Sequence, residues 1–407
     1  MTPATTPARR AIVVGGSIGG LFAALLLRQR GWDVQVFERV AQPLAGRGAG
    51  IVTHPQLWRI LEQLGLDPTT DFGIPVEERV TLGQDGAVVG RLACPQVMTS
   101  WDRVFRMLRG AWPDDRYHLG QELRHVEPTA QGVRAEFATG RTAEAALLVG
   151  ADGFRSTVRQ SLAGDLPPNY AGYTAWRGLV AESDIPPDAH AALFNVFGFC
   201  LPPGEQILGY PVAGEDNDLR PGHRRYNFVW YRPADEAATL PQLLTDAHGH
   251  THALSIPPPL IRPEIVAEMR ATAERILAPQ FAALVRTTPQ PFLQPIYDLE
   301  APRLALPRTA LLGDAAFVIR PHVGAGVTKA AEDAAALAAS LDATPNLDAA
   351  LAQYEATRQP PGQRVMQRAR HLGAYLQAQR HTNDERAAAT RHHTPQAVMA
   401  ETALLDF

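Results

Sequence analysis

Hydrophobic and polar positions change rhythm repeatedly in the opening stretch of this chain. Residues 11–38 read AIVVGGSIGGLFAALLLRQRGWDVQVFE: an apolar run halts at glycine, apolar residues resume at helical spacing, and an alternating stretch ends in Glu38. The pattern predicts a buried strand, a glycine-rich turn, an amphipathic helix and a second strand. With the acid at its end, this is the order of a dinucleotide-binding βαβ unit. Gly15 permits the tight turn, and Gly20 lets helix and strand approach closely. The middle glycine of the pattern is replaced by Ser17, a small residue that departs little from it. The helix start aims its free N–H groups and positive dipole end at a pyrophosphate. Glu38, about 18 residues beyond Gly20, is placed to hold a ribose hydroxyl. A membrane or signal segment is the competing reading, but a span needs about 20 apolar residues. Here the 17 residues of 11–27 include five glycines or serines.

The same reading continues down the chain. Glycines at 46, 48 and 50 mark a loop where backbone passes close to something flat or large. A helix is predicted over 55–64, a hairpin over 77–92 turning at Gln84-Asp85-Gly86, and a helix over 102–111. Two strands around a turn at 129–132 begin a meander that ends in an apolar strand over 146–149. GADGFRSTVRQ follows, where Asp152 at a strand end can accept from a nucleotide hydroxyl or a bound water. Arg155 and Arg159, one helical turn apart, can meet phosphate. An ordinary strand-to-helix turn with an Asp N-cap accounts for the same residues. Residues 170–232 are short strands rich in aromatic and β-branched residues, an inserted antiparallel sheet able to roof a pocket. In TALLGDAAFVIRPHVGAGVTKAAEDAAALAASL, 309–341, a buried strand ends at Gly313-Asp314. A loop with Pro321, Gly324 and Gly326 then opens into an alanine-rich helix. A surface helix pair is predicted over 345–378, followed by a polar, loosely packed tail.

Composition narrows the classes. The 407 residues, 45% of them hydrophobic, suffice for one large α/β body with an insert or for two or three domains. A net charge of −4 without a basic stripe argues against nucleic acid as a partner. Cys94 and Cys200 stand far apart, so neither a disulfide framework nor metal spacing follows, and a cytoplasmic setting fits. His248, His250 and His252 raise a metal site, but their glycine and threonine neighbours predict a solvated loop, and no metal is expected. Prolines cluster at 255–263 as a rigid connection, and the first ten residues read as a disordered lead-in.

Three signatures in order, GGSIGG with its acid, GADGFRS, and LLGDAA with PHVGAG, resemble the single-component flavoprotein aromatic hydroxylases over roughly residues 9–375. TSWDRVF, YAGYTAWRG, GYPVAG, YNFVWY and RPHVGAG are similar to the 2,6-dihydroxypyridine 3-hydroxylase branch of that family. More distant likeness extends to urate and 6-hydroxynicotinate hydroxylases. The resemblance implies a Rossmann-like FAD-binding domain with an inserted antiparallel sheet and C-terminal helices. It divides the chain into FAD-binding parts over 9–76, 101–168 and 266–341, substrate parts over 77–100 and 169–265, and C-terminal helices and tail over 342–407.

The resemblance further implies bound FAD, transient NADH or NADPH, and O2. Gly15, Ser17, Ile18, Gly20 and Glu38 would hold the adenosine end, with Arg39 and Arg47 nearby. Gly50 and Asp152 would serve the cofactor as well, Asp152 on the pyrophosphate side, and Asp314 would meet ribitol or pyrophosphate. Pro321, Gly324, Ala325, Gly326 and Val327 would run beside the isoalloxazine. Where many relatives have an arginine near the start of the helix over 102–111, this chain has Trp101, and Arg103 is the expected substitute. The implied chemistry is reduction of FAD by NAD(P)H, formation of a C4a-hydroperoxide, and transfer of one oxygen to an electron-rich ring. His322 and Tyr210 are the candidate catalytic residues, His322 for its pKa range. Gln206, Tyr210, Asn227, Arg177 and His54 are the candidate substrate contacts, with Gln206 and Tyr210 on one face of a strand. Competing substrates are urate, hydroxynicotinate and phenols such as salicylate. Other classes are a flavin halogenase, whose Trp-x-Trp-x-x-Ile signature is absent, a flavin-dependent reductase, and a flavin-binding protein without turnover. The expected partner is a small aromatic molecule, not a membrane or nucleic acid; a homodimer is one arrangement left open.

Overall fold

The computed structural model describes residues 9–46 and 50–404, so Arg47 lies outside the described residues. The opening pattern folds as expected: β1 (Arg10–Val14), α1 (Ile18–Gln29) and β2 (Asp33–Phe37). The apolar face of α1, Leu21 to Leu27, is buried against the sheet. A six-stranded sheet runs in the order Ala305–Leu306, Thr309–Leu311, Leu147–Gly150, β1, β2, Tyr117–His118. All its pairings are parallel except that of Ala305–Leu306 with Thr309–Leu311. Its central strands read as continuous apolar runs because helices cover them.

A nine-stranded sheet forms the second layer, from Phe317–Val318 at one edge to Gly50–Val52 at the other. The strands Asn169–Ala181, Arg225–Pro233 and Gln206–Val212 lie side by side and antiparallel at its centre. One pairing departs from the antiparallel expectation: Val196–Cys200 runs parallel to Ile74–Leu82. Those strands are joined through the whole intervening part of the first layer, so no hairpin fixes their relative direction. The predicted hairpin is also longer than expected, with strands Ile74–Leu82 and Val88–Ser100. A three-stranded meander of Leu123–Pro128, Val133–Phe137 and Thr142–Ala145 packs alongside.

Two expectations for the C-terminal third need correction. Instead of a helix pair there is one helix, Leu347–Gly373, running through Pro360 and Pro361. Each proline removes an N–H donor, yet Ala350, Leu351, Tyr354 and Met366 are buried along both halves and keep the helix in line. Nor is the tail loose. Helices Asn383–Arg391 and Pro395–Glu401 form there, and Val398, Met399 and Ala403 are buried. Among the described residues no helix is long and apolar enough to cross a membrane.

Candidate active site

The three glycine-acid motifs meet because their strands are neighbours. Val14 lies in register with Gly150, and Gly150 with Leu311, so Gly15, Asp152 and Asp314 all emerge at the carboxyl ends of adjacent parallel strands. In open α/β sheets that edge is where ligands bind. The turn is sterically committed: a Cβ on Gly15 would sit 2.3 Å from the Ala151 carbonyl oxygen, and one on Gly20 1.9 Å from that of Gly15. The Glu38 carboxylate accepts from the N–H groups of Gly16 (2.8 Å) and Val40 (2.9 Å), which fixes it facing the turn. The Tyr117 hydroxyl donates to the Gly16 carbonyl at 2.7 Å, a contact that nothing local in the sequence signals.

A cavity of about 410 Å³ opens at this edge, between the two sheets. Ser17, Ile18, Asp314 and residues 324–327 line its first-layer side. Their chemistry fits a dinucleotide. Two helix N-termini without side-chain caps, α1 at Ser17 and Gly326–Ala343 at Ala325, border the same space. Uncapped N-termini carry free N–H donors and positive dipole ends suited to phosphate. Asp152 accepts from the Val158 N–H through Oδ2 while its buried Oδ1 has no partner. Pro321 and Asp314 also border a second cavity, which contains Arg39 and Arg155.

Arg159 does not face phosphate. It is buried and donates to the carbonyls of Ala315 (2.8 Å) and Phe154 (2.9 Å), tying two of the motif turns together. Arg103 likewise turns away: its guanidinium reaches the Thr70 carbonyl, and Trp101 lines the cavity in its place. Helix geometry decides this, because Ser100 caps the helix Trp101–Gly110 and sets residues 101 and 103 on different faces.

On the opposite side the large sheet supplies an aromatic wall of Phe197, Leu208, Tyr210, Val229 and Tyr231. Tyr210 pairs across the strands with Asn227, and both meet Gly50, whose N–H donates to Asn227 Oδ1 at 3.3 Å. A Cβ on Gly50 would lie 2.4 Å from the Tyr210 ring, so glycine is required for that approach. Asn227 Nδ2 is buried without a partner. Burial pushes the Tyr210 phenol up to about 12, against the pull of the Arg177 charge, so it is an O–H donor at neutral pH. Arg177 lines the cavity, donates to Gln294 Oε1 at 3.1 Å, and forms no ion pair among the described residues.

Three expected site residues do not line that cavity. Gln206 shares the strand face of Tyr210, but Tyr375 covers it and donates to its Oε1. His54 is buried beside Thr328, Nδ1 to Oγ1 at 3.0 Å, and borders an outer cavity. His322 points away from the cavity and pairs with the Tyr173 hydroxyl at 2.7 Å. A Cβ on Gly373 would fall 2.4 Å from that hydroxyl and 2.8 Å from the ring, so the helix packs tightly over the pair. Burial, and then the Arg320 charge, push the His322 pKa down to about 3. A neutral, enclosed imidazole is not positioned as a base for a ring in the cavity. The expected histidine loop is organised by Asp246, which accepts from the N–H groups of His248 and His250 and pairs with His252.

Missed by sequence reasoning were Phe197, Tyr231 and the pair Thr402 and Ala403, all at the cavity, while Trp101, noted in the place of an expected arginine, had its role given to Arg103. Tyr231 lay in plain alternation with Val229 and Asn227; the pair carries no local signal.

Comparison with known proteins agrees with this arrangement. A family model of a NAD(P)-binding Rossmann-like domain matches residues 13–64, and one described as FAD binding domain-like matches residues 170–298. The chain is 32% identical to 2,6-dihydroxypyridine 3-monooxygenase of Paenarthrobacter nicotinovorans, over 93% of each chain. It is 34% identical to 3-amino-4-hydroxybenzoate 2-monooxygenase of Streptomyces cremeus, over 89% of this chain and 86% of that one. The solved 2,6-dihydroxypyridine-3-hydroxylase from Arthrobacter nicotinovorans superposes with a TM-score of 0.85 at 32% identity, covering 92% and 93% of the two chains. Klebsiella pneumoniae HpxO complexed with FAD and uric acid gives a TM-score of 0.73 at 25% identity, covering 97% and 93%. With the nucleotide-binding edge, the aromatic wall and full-length relatives in agreement, the chain belongs to the FAD-dependent aromatic monooxygenases.

Proposed function

We propose that this enzyme uses NAD(P)H and O2 to hydroxylate a small hydroxylated N-heteroaromatic ring of the 2,6-dihydroxypyridine kind, taken up as an anion. The observation that carries the reading is Arg177, a cation bordering the cavity with no carboxylate partner among the described residues. Bound FAD supplies the chemistry that activates oxygen. The chain's own groups bind, orient and keep water out. Phe197, Leu208 and Val229 make the dry wall that such chemistry needs. Tyr210 keeps its proton and donates to a ring oxygen, and the unpartnered amide of Asn227 offers a second donor beside it. Arg177 holds the ring's negative charge, which favours the electron-rich form that accepts an electrophilic oxygen. Gly15, Ser17, Ile18, Gly20 and Glu38, with Asp152 and Asp314, would hold the cofactor, and Pro321 with residues 324–327 would meet its ring end.

An aminohydroxybenzoate is the second reading, favoured by the same unpaired Arg177 and by the 34% identical relative. The two readings separate in a titration of the flavin absorbance of the holoprotein with each ring. The proposal expects 2,6-dihydroxypyridine to bind more tightly, and Arg177→Met to weaken it at least tenfold with FAD content unchanged. Tighter binding of 3-amino-4-hydroxybenzoate favours the second reading. An Arg177→Met protein that binds both rings as the parent does removes the basis of either.

A further inference from the structure

Arg79 is a fully buried guanidinium with no ion pair among the described residues. It stands on Ile74–Leu82, in register with Phe197 of the neighbouring strand. Burying a cation without a counter-ion is costly, so such a group persists only where neutral acceptors converge on it. Here they come from residues 399 and 402 and from Gln96, with the Cys94 sulfur alongside. Nη1 donates to the carbonyls of Met399 (2.5 Å) and Thr402 (2.7 Å), and Nη2 to Gln96 Oε1 (2.5 Å). Met399 lies in the last turn of Pro395–Glu401 and Thr402 follows it, where helix carbonyls lack internal partners and attract positive charge. The guanidinium also lies 5.1 Å from the centre of the Phe197 ring, which stands edge-on to Tyr210.

The segment held this way reaches the active site. Thr402 and Ala403 line the cavity, while Leu404 borders the outer cavity beyond, which also contains His54. Ala403 donates its N–H to the His322 carbonyl at 2.8 Å, and its own carbonyl accepts from Gln96 Nε2 at 3.3 Å. Its φ of +54° is a left-handed conformation that a non-glycine residue holds only when its surroundings impose it. Its methyl abuts Gly324, where a Cβ would come within 2.9 Å of it. One buried cation therefore braces both the terminal wall and an aromatic wall of the same cavity.

We propose that Arg79 is a positioning residue that latches residues 399–403 against the substrate cavity, and that Ala403 sets the room left for the ring. The inference rests on the functional reading above. Arg79→Met keeps an apolar stem without the donors, Arg79→Lys keeps the charge with fewer donors, and Ala403→Leu adds bulk directly to the wall. Each is tested as FAD-loaded full-length protein by amide hydrogen exchange over 395–404, by ring affinity from flavin absorbance with 2,6-dihydroxypyridine, and by product formed per NADH oxidised. Expected for Arg79→Met is at least tenfold faster exchange in that segment and at least threefold less product per NADH, with FAD content and exchange in β1 unchanged. Arg79→Lys falls between it and the parent. Ala403→Leu weakens ring binding at least tenfold without faster exchange. Unchanged exchange and product yield in Arg79→Met overturn the latch, and unchanged ring affinity in Ala403→Leu overturns the wall. Should Arg79→Met not fold, Arg79→Lys decides the latch by the same readings: any clear rise in exchange confined to 395–404 supports it, and none overturns it. A parent protein whose flavin spectrum responds to no ring defeats the functional reading instead, and the exchange arm still decides the latch.

Discussion

At the turn after β1 there is no room for a side chain. A methyl on Gly20 would overlap the Gly15 carbonyl at 1.9 Å, a backbone atom that cannot swing aside. Gly20→Ala is therefore expected to yield protein with little bound FAD and to cost about 1–3 kcal/mol of stability, read from flavin content and denaturant unfolding. His322 makes a different prediction, through linkage. Its folded pKa of about 3 lies below the unfolded value of about 6.5, so between these limits the unfolded chain binds the extra proton. Its contribution is intact above about pH 6.5 and is lost progressively as pH falls toward 3. His322→Gln should show a shallower loss of unfolding free energy over that window, by about one proton in slope. An unchanged slope would mean the imidazole is not held neutral. Because the ring stays neutral above pH 6, kcat should show no titration attributable to it between pH 6 and 9.

Elements were legible where their signals are local. The three strand-glycine-acid motifs could be read because each keeps apolar strand, turn and acid within one short run of sequence, the longest being residues 11–38, and strand adjacency then brings them together. Gln206 shows why the wall was harder. Its strand face followed from alternation, but its cover, Tyr375, arrives from 169 residues away. His322 is likewise turned by Tyr173, on a strand 149 residues earlier. The tail was misread despite a usable sign. Thr382-Asn383-Asp384-Glu385 is a capping-box sequence, and the reciprocal bonds form at the start of Asn383–Arg391. Thr382→Ala should destabilise that helix by about 1 kcal/mol, seen as faster amide exchange over 383–391 while β1 and β2 exchange as before. Equal exchange would show that tertiary packing, not the cap, holds the helix.

Across the whole molecule, two sheets face a shared cavity and divide the work. The parallel sheet turns uncapped helix starts and acids toward it, and the large sheet presents an aromatic wall with Tyr210 and Arg177 at its surface. Thr402 and Ala403 close the space from a third side. FAD-loaded protein should therefore consume reductant slowly alone and much faster once a ring fills the cavity. The most direct test of the account is NADH and O2 consumption with and without 2,6-dihydroxypyridine, with the products weighed by mass spectrometry. The account predicts at least tenfold stimulation and a product heavier by one oxygen atom, the added atom coming from labelled O2. Stimulation that ends only in hydrogen peroxide, or none at all with this ring, would contradict the proposed substrate.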